Sequence, residues 1–455
     1  MSTGLPARRA ALAAVAAVEI DGMWSNLAVP EAVGELPEAQ DRAFASHLAY
    51  DQLRWEATLD WALSQVLSRP LDDVEPALRR VLRLGALQLL RSGVPERAAV
   101  DTSVSLAREQ VPAPRAKGAG GFVNGVLRAL IRQRDTLPWP DPEREPVQRL
   151  ALDHGHPRWI VSELHARFGY ERAAAILDGD NRAPGLTLRA TGDRDELVEE
   201  LRAQGLDARP GELPMAIRVP GADPRRLAAV AEGRAVPQDE ASMHVVAACE
   251  VAPGMRVLDL CAGPGGKTTA LAQAAGEHGQ VVAVEVHERR ARMIADVAAR
   301  LGVSVDVRVG DATAELAEAR PLGHRTDRDG PSEVGGTIEP GDDGFDVVLL
   351  DAPCTGLGTG RRRPEVRWRK ERSDVAELAA LQRRLLERAV GQLRPGGRLV
   401  YSVCTWTTEE TDRVADHLDV AQAARLQPIV RRQLWPDTDG TDGMFIAVWE
   451  RQAGR

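Results

Sequence analysis

Two cysteines of this 455-residue chain stand where short apolar segments end. The segment VVLLDAPC runs up to Cys354, and the segment VYSVC runs up to Cys404. Such segments are typical of buried strands, and open α/β sheets build their sites at the carboxyl ends of strands. A thiolate is a strong nucleophile, so two thiols in one cleft indicate covalent catalysis. A buried cysteine is more often an inert apolar side chain, but here a threonine and a loop follow each one.

The remaining cysteines are Cys249 and Cys261, and no Cys-x-x-Cys pair occurs. This spacing argues against a structural zinc site and against a disulfide framework. Thiols that stay reduced predict a cytoplasmic protein. His154 and His156 could coordinate a metal, but the sequence offers no third ligand nearby, so we predict no metal site. The sequence has no run of 18 apolar residues, so we also predict no membrane association.

A glycine-rich segment, VLDLCAGPGGKTTALA (257–272), predicts a strand, a turn and a helix. Glycines let the backbone and a helix N-terminus approach a ligand closely. Glu285 ends the next strand, where a carboxylate can bind ribose hydroxyls, and Asp311 follows a third strand, where it can hold an adenine edge. The residues expected to bind the cofactor are Cys261, Ala262, Gly263, Pro264, Gly265, Gly266, Lys267, Glu285, Asp311 and Asp351.

The identity of this ligand is predicted partly by what the segment lacks. The letters GGKT resemble the end of a phosphate-binding loop, but Cys261 stands where that motif needs its first glycine. No basic residue ends the second strand to pair with a 2′-phosphate. An adenosine without a pyrophosphate remains, and S-adenosylmethionine fits best. The alternative is a purely structural glycine turn.

Residues 241–455 have the pattern of an α/β domain. Short apolar strands alternate with helices, as in RVLDLC, KTTALAQAAG and VVAVEV, which predicts a Rossmann-like parallel sheet covered on both faces. Residues 321–344 interrupt this pattern with six glycines, three prolines and six acidic residues. We expect them to form a mobile surface insertion.

The N-terminal part, residues 1–136, predicts an all-α domain because alanine and leucine recur at helical spacing. Two arginines precede AALAAVAAV (10–18) as in a signal peptide, but acidic residues follow at once, which favours an amphipathic helix. GAGGFVNGVLRALI (118–131) reads as a glycine-rich turn opening a last helix. The net charge is −9, yet residues 79–134 carry eleven Lys or Arg against three acids. That excess indicates either a solvated helix face or a phosphate-binding surface.

Two segments separate these parts. Residues 137–158 begin with LPWPDPEREPV, whose four prolines predict a linker. Residues 159–240 contain the strand patterns LTLRA and AIRVPG and the capped helix patterns DRDELVEELRAQG and DPRRLAAVAEG. They predict a small α+β subdomain.

The segments LDLCAGPGGKTT, LLDAPCTGLGTGRRRPEVRW and LVYSVCTWTTEE together resemble the bacterial RNA 5-methylcytosine methyltransferases. The nearest resemblance is to the 16S rRNA cytosine methyltransferases of the RsmB/Sun/Fmu family. That family has a NusB-like helical domain, a small RNA-binding subdomain and a methyltransferase domain, in the order predicted here. The resemblance implies an S-adenosylmethionine-dependent enzyme that forms 5-methylcytosine in 16S rRNA. Its expected partner is this RNA or the assembling small ribosomal subunit, and we expect a monomer.

The resemblance also implies roles for individual residues. In the family, the later cysteine, here Cys404, is the nucleophile, and the earlier one, here Cys354, assists release of the methylated base. Asp351 would contact the base and the cofactor, and Lys267 would help to orient the target. DNA cytosine methyltransferases place the nucleophile in their Pro-Cys motif, so Cys354 stays an alternative.

The chain departs from the family at three places. Gly263 stands where the family usually has alanine, and Glu285 where it usually has aspartate. The run TTEET (407–411) replaces a common Pro-Glu-Glu-Asn, which leaves the local loop geometry open.

The segment RRRPEVRWRKER (361–372) carries seven basic residues against two acids. We expect it to hold the RNA backbone, with Trp368 stacking on a base, although a solvated loop is the alternative. Two other functions stay open. The same chemistry could act on transfer RNA, or the chain could be a non-catalytic RNA-binding or antitermination protein.

Overall fold

The computed structural model describes residues 4–323 and 344–453. The chain forms two compact units. The first comprises Met1–Arg182 and Gly360–Lys370, and the second comprises Ala183–Thr359 and Glu371–Arg455. Residues 324–343 of the expected insertion lie outside the described residues.

The first unit is built from helices, as predicted. Alanine and leucine side chains on α1 to α7 pack into one apolar core, which includes Leu48, Leu82 and Leu127. The helices are α1 (Leu5–Ile20), α2 (Ser25–Gly34), α3 (Ala39–Arg54), α4 (Glu56–Ser64), α5 (Pro76–Leu90), α6 (Glu96–Glu109), α7 (Ala113–Gln133), α8 (Pro146–His154) and α9 (Arg158–Asn181).

The glycine-rich turn expected at the start of 118–131 is wrong, because α7 is helical throughout this segment. A Cβ atom on Gly120 would lie 2.8 Å from Arg108 Nε and 3.3 Å from a methyl of Val104, both on α6. The lack of a side chain at Gly120 therefore allows α6 and α7 to pack closely. Residues 137–158, expected as a linker, contain helix α8, which begins at Pro146, the last proline of the proline-rich stretch.

The segment Gly360–Lys370 packs within the helical unit and contains the short helix α15 (Val366–Arg369). Arg367 is fully buried and its guanidinium contacts the carboxylate of Asp180 at 2.5 Å. The indole nitrogen of Trp368 donates to the Leu53 carbonyl oxygen at 2.7 Å. The indole of Trp368 is thus held by the protein through its N–H while staying half-buried, and its stacking on a base stays a prediction.

The second unit begins with a small antiparallel sheet of β1 (Leu186–Ala190), β2 (Arg209–Pro210), β3 (Ala216–Val219) and β4 (Ala235–Pro237), in the order β2-β3-β1-β4. Helix α10 (Arg194–Ala203) starts where the side chain of Asp193 accepts hydrogen bonds from two backbone N–H groups. The second capped helix is short, α11 (Ala228–Ala231), and follows a 3₁₀ turn. The predicted α+β character is confirmed.

An eight-stranded sheet follows, in the order β11-β12-β10-β9-β5-β6-β7-β8. The five central strands, β10 to β7 in that order, are parallel, while β8, β11 and β12 are antiparallel at the two sides. The predicted parallel sheet is confirmed in these five central strands, and the antiparallel strands at the two sides were not predicted. The strands are β5 (Arg256–Asp259), β6 (Gln280–Glu285), β7 (Asp306–Val309), β8 (Arg320–Pro321), β9 (Phe345–Asp351), β10 (Leu393–Val403), β11 (Leu426–Leu434) and β12 (Met444–Arg451).

Helices cover both faces of this sheet, as predicted. On β9, Val348 and Leu350 pack into one apolar cluster with residues of α16 and α17, whereas Val347 and Leu349 pack on the opposite face with α12 and α13. This alternation is the period of two expected of a strand buried on both faces. The helices are α12 (Glu240–Ala248), α13 (Gly266–Ala275), α14 (Glu288–Leu301), α16 (Arg372–Gln392) and α17 (Asp412–Ala421).

Across the described ranges, no helix combines the length and the apolarity needed to cross a membrane.

Candidate active site

The two cysteine loops leave neighbouring parallel strands at one edge of the large sheet. β9 ends at Asp351 and β10 ends at Val403, with Ser402 paired to Asp351 in the register. The ladder continues past the strand end, because the Ala352 N–H donates to the Ser402 carbonyl oxygen at 2.9 Å. This pairing carries both loops into the same region of space.

The sulfur atoms of Cys354 and Cys404 lie 3.4 Å apart. Both side chains are half-buried and neither forms a disulfide. The Gly358 N–H donates to the Cys404 carbonyl oxygen at 2.9 Å, which ties the two loops together at the backbone. The structure thus brings together the two thiols that the sequence placed in one cleft.

Cys354 is held in its protonated form. Its hydrogen bond with Cys404, its burial and the nearby charges of Cys404, Glu410 and Asp351 raise its pKa well above the ordinary thiol value. A protonated Cys354 can donate a hydrogen bond to a thiolate at Cys404.

Lys267 and Asp351 form an ion pair beside the cysteines. The Lys267 ammonium lies 2.7 Å from Asp351 Oδ2, and the Ser402 hydroxyl donates to Oδ1 at 2.8 Å. Burial lowers the pKa of Lys267, but the charge of Asp351 and its hydrogen bond, with a contribution from Cys404, raise it further, so the net shift is upward. A cation is therefore kept close to the thiol pair.

The glycine-rich loop lies against Glu285 at the end of β6. Glu285 is 3% exposed, and its two oxygens accept hydrogen bonds from the Gly263 N–H at 3.1 Å and the His287 N–H at 3.0 Å. A carboxylate has about four lone pairs, so it keeps capacity to accept ribose hydroxyls. Gly265 caps α13, and Gly266 is the first residue of that helix. This arrangement fits an adenosine-containing cofactor at a helix N-terminus.

Two departures from the family pattern explain each other here. A Cβ atom at Gly263 would lie 2.4 Å from Glu285 Oε2 and 2.8 Å from Arg290 Nε. Glutamate is one methylene longer than the usual aspartate, so its carboxylate takes the space that an alanine methyl would need. Gly263 and the longer side chain of Glu285 are therefore sterically matched.

Asp311 follows β7 at the same edge and is exposed. Its Oδ1 accepts hydrogen bonds from the Thr313 N–H and hydroxyl, both at 2.8 Å, and these bonds lower its pKa. The Gly310 N–H donates to the Glu285 carbonyl oxygen at 3.2 Å. The ends of β6 and β7 are thus held together, with one carboxylate side chain on each.

The remaining loop residues have supporting positions. Burial raises the pKa of Cys261 above the ordinary thiol value, so it stays a neutral thiol. Ala262 is buried and Pro264 is exposed. Sequence reasoning missed Asp259, which accepts a hydrogen bond from the Thr268 hydroxyl at 2.7 Å and whose pKa burial raises to about 7.

Sequence reasoning also missed Glu410, which lies between the two cysteine loops and is fully buried. The available signal was its place in TTEET, six residues after Cys404, but its contacts become visible only in three dimensions. Within residues 4–323 and 344–453, no group of three or more His, Cys, Asp or Glu side chains could hold a metal ion.

Three family profiles match consecutive parts of the chain. The profile of the NusB family matches residues 5–132, one described as an RsmF/B-like methyltransferase ferredoxin-like domain matches 156–224, and one described as 16S rRNA methyltransferase RsmB/F matches 246–450. They follow the order of the helical part, the small sheet and the large sheet.

Whole proteins match over nearly their full lengths. The protein Rv1407 of Mycobacterium tuberculosis is 38% identical, covering 98% of this chain and 96% of that protein. The ribosomal RNA small subunit methyltransferase B of Pseudomonas syringae is 32% identical, covering 97% and 96%. The crystal structure of PH0851 superposes with a TM-score of 0.80 at 24% identity over 98% of both chains, which shows a shared fold.

Proposed function

The chain belongs to the RsmB/F family of 16S rRNA methyltransferases, and we propose that it methylates carbon 5 of a cytosine in 16S rRNA through a covalent bond to Cys404. Enzymes of this family use S-adenosylmethionine, whose sulfonium makes the methyl group electrophilic. The observation that carries the proposal is the 3.4 Å separation of the two thiols beside the Lys267–Asp351 pair.

The covalent step answers a chemical difficulty. Carbon 5 of cytosine is too weak a nucleophile to accept a methyl group unaided. Addition of the Cys404 thiolate to carbon 6 turns the base into an enamine, whose carbon 5 can attack the methyl group. Loss of the carbon 5 proton and expulsion of the thiolate then restore the ring. Cys354, with its sulfur 3.4 Å from that of Cys404, is placed to assist this release.

Asp351 and Lys267 act on the base in this proposal. Two hydrogen bonds, from Lys267 and from Ser402, fix the orientation of the Asp351 carboxylate. Asp351 can then hydrogen-bond the ring as charge develops during attack. Lys267 supplies the positive charge that favours a thiolate nearby. The base must leave its stack to reach this cleft.

The cofactor in this proposal lies along residues 261–267, with Glu285 on the ribose and Asp311 toward the adenine. The contact between Gly263 and Glu285 supports this placement. We also propose that residues 1–136 and 159–240 bind RNA and that 241–455 carry the catalysis. The basic excess of residues 79–134 supports an RNA-binding role for the helical part. The mechanism requires reduced thiols and therefore a reducing compartment such as the cytoplasm.

The test is transfer of a labelled methyl group from S-adenosylmethionine to unmodified 16S rRNA and to transfer RNA, with the product nucleotide mapped. We expect 5-methylcytosine at one position in 16S rRNA, supplied naked or in an assembling subunit. Label confined to transfer RNA would retain the chemistry and overturn the substrate. Cofactor binding without label in any RNA would overturn the catalytic function and favour a protein that only binds RNA.

A further inference from the structure

One buried carboxylate joins the segments that follow the two cysteines. Glu410, Thr355 and Thr407 are almost completely buried. Glu410 Oε1 accepts hydrogen bonds from the Thr355 backbone N–H at 2.8 Å and from Gln382 Nε2 at 3.1 Å. Its Oε2 accepts from the hydroxyls of Thr355 at 2.6 Å and of Thr407 at 2.7 Å. One side chain thus binds the residue directly after the first cysteine and the segment after the second.

Further contacts extend this arrangement into the scaffold. The hydroxyls of Thr355 and Thr405, each directly after a cysteine, lie 2.8 Å apart. The Tyr401 hydroxyl donates to the Glu410 backbone carbonyl at 2.6 Å. The glutamine amide that binds the carboxylate also donates to the Pro353 carbonyl oxygen at 2.9 Å. Helix α16 therefore anchors the Glu410 carboxylate, and strand β10 anchors the Glu410 backbone.

Burial of a carboxylate is costly unless hydrogen bonds replace its water. The four short bonds to Glu410 come from neutral donors, so they compensate for the lost hydration without cancelling the charge. Separation of the two loops would break bonds on at least one side and leave a buried carboxylate under-solvated. Glu410 therefore resists any change in the spacing of the loops.

We propose that Glu410 is a positioning residue that sets the separation of the Cys354 and Cys404 thiols by holding the segment that follows each. Its meaning for catalysis rests on the function proposed above, whereas the thiol separation itself does not. Because release depends on this separation and attack depends on the placement of Cys404, both steps should suffer when Glu410 is changed.

The chain offers a matched control in the preceding residue. Glu409 is partly exposed and pairs with Arg372 at 2.5 Å and Arg413 at 3.5 Å. Glu410→Gln keeps the shape of the side chain but turns one acceptor oxygen into an NH₂ group that faces other donors. Glu409→Gln removes the same charge one residue away, at a side chain whose ion pairs are to Arg372 and Arg413.

Thiol separation can be measured without any RNA, with phenylarsine oxide as the probe. This trivalent arsenical condenses with two adjacent thiols, forming two As–S bonds and releasing one water. We expect the wild type and Glu409→Gln to capture one arsenical across Cys354 and Cys404, mapped by peptide mass spectrometry. We expect Glu410→Gln to capture it at least tenfold more slowly, and the Cys354→Ser variant to capture none.

Folding is checked by a cooperative thermal unfolding transition, which Glu410→Gln should retain at a modestly lower midpoint, and by S-adenosylmethionine affinity, which should stay close to wild type. Thr407→Val is the second variant, because it removes one donor and leaves the carboxylate in place. It should slow arsenical capture by a smaller factor. Folded variants of both kinds with wild-type capture rates would overturn the proposal.

A second arm measures methyl transfer. We expect Glu410→Gln to lower kcat by about a hundredfold, the loss typical of a misplacement near 1 Å, with the KM for S-adenosylmethionine unchanged. Wild-type kcat in the folded variant would contradict the proposal. Slow capture in the variant, combined with no methyl transfer by the wild type, would contradict the proposed function and leave the positioning role intact.

Discussion

Asp180 in the first unit and Glu410 in the second are both completely buried carboxylates, but they are stabilised in different ways. Asp180 contacts the Arg367 guanidinium at 2.5 Å and His156 Nε2 at 3.1 Å. Glu410 instead receives hydrogen bonds from threonines and a glutamine. The charge of Asp180 is thus neutralised by a cation, while that of Glu410 is only hydrogen-bonded.

This difference indicates that the Asp180 carboxylate stabilises the fold, whereas the Glu410 carboxylate affects the thiols of the candidate active site. Burial and the Arg367 cation lower the pKa of His156 to about 4, so the imidazole is neutral at pH 7 and Arg367 is the compensating charge. Loss of Asp180 would leave that cation alone. The negative charge of Glu410 contributes to the raised pKa of Cys354.

The largest stability effect is expected at the cation-paired carboxylate. Asp180→Asn leaves the Arg367 guanidinium buried without its counter-charge, which should cost about 3–5 kcal/mol of unfolding free energy. The measurement is the shift of the urea midpoint, with Asp178→Asn as control. Asp178 pairs with Arg182, the residue that follows α9, and both side chains are exposed, so its change should stay within about 0.5 kcal/mol. Equal midpoints for both variants would refute a structural role for the Asp180–Arg367 pair.

A smaller stability loss is expected at the hydrogen-bonded carboxylate. Glu410→Gln should cost about 1–3 kcal/mol, because hydrogen bonds weaken but no buried cation is left behind. The same urea titration measures it. Arsenical capture should show the opposite ranking, slowed by Glu410→Gln and unchanged in Asp180→Asn. If both variants slowed capture equally, the distinction between the two carboxylates would fail.

The charge of Glu410 also predicts a pH effect. The titratable or charged groups around Cys354 include Cys404, Glu410, Asp351, Tyr401 and Lys267. A negative neighbour disfavours a thiolate, so removal of the Glu410 charge should lower the pKa of Cys354 and let it react with iodoacetamide at lower pH. Peptide mapping of alkylation against pH measures this. Glu409→Gln should leave the profile in place, and an upward shift in Glu410→Gln would contradict the assignment.

Glu285 provides a third buried carboxylate, bound by backbone N–H groups, and the smallest expected effect. Gly263→Ala should weaken S-adenosylmethionine binding, because the new methyl meets the Glu285 carboxylate. Adding Glu285→Asp should recover part of the loss, with a coupling of about 0.5–3 kcal/mol between the neighbours. Calorimetric titration of the single and double variants measures it. Additive losses would show that the two departures from the family pattern are independent.

The site could be predicted from sequence where a motif marks the end of a strand. Cys354, Cys404, Asp351 and the glycine-rich loop all follow apolar segments, so their common edge followed from the strand pattern. Glu410 could not be found this way, because its role depends on three threonines and a glutamine that meet only in the folded chain. Lys267 was visible in the sequence, but its 2.7 Å contact with Asp351 was not.

The fold, like the site, could be predicted from the sequence only in part. The central strands of the large sheet are short apolar runs, whereas β11 (LQPIVRRQL) exposes most of its length and lacks a clear strand pattern. Charged residues near the Pro-Cys motif suggested a nucleic-acid surface because sequence shows charge but not its partner. Arg367 contacts Asp180, 187 residues away in the chain, and such a pairing has no local signal.

The most direct test of the central claim is covalent trapping on 16S rRNA that carries 5-fluorocytidine. After methyl transfer the fluorinated carbon 5 has no proton to lose, so the enzyme stays bound through its nucleophile. We predict a trapped adduct at Cys404, seen by peptide mass spectrometry in the wild type and in Cys354→Ser but absent from Cys404→Ser. An adduct at Cys354 that persists in Cys404→Ser would contradict it and assign the nucleophile to the Pro-Cys motif.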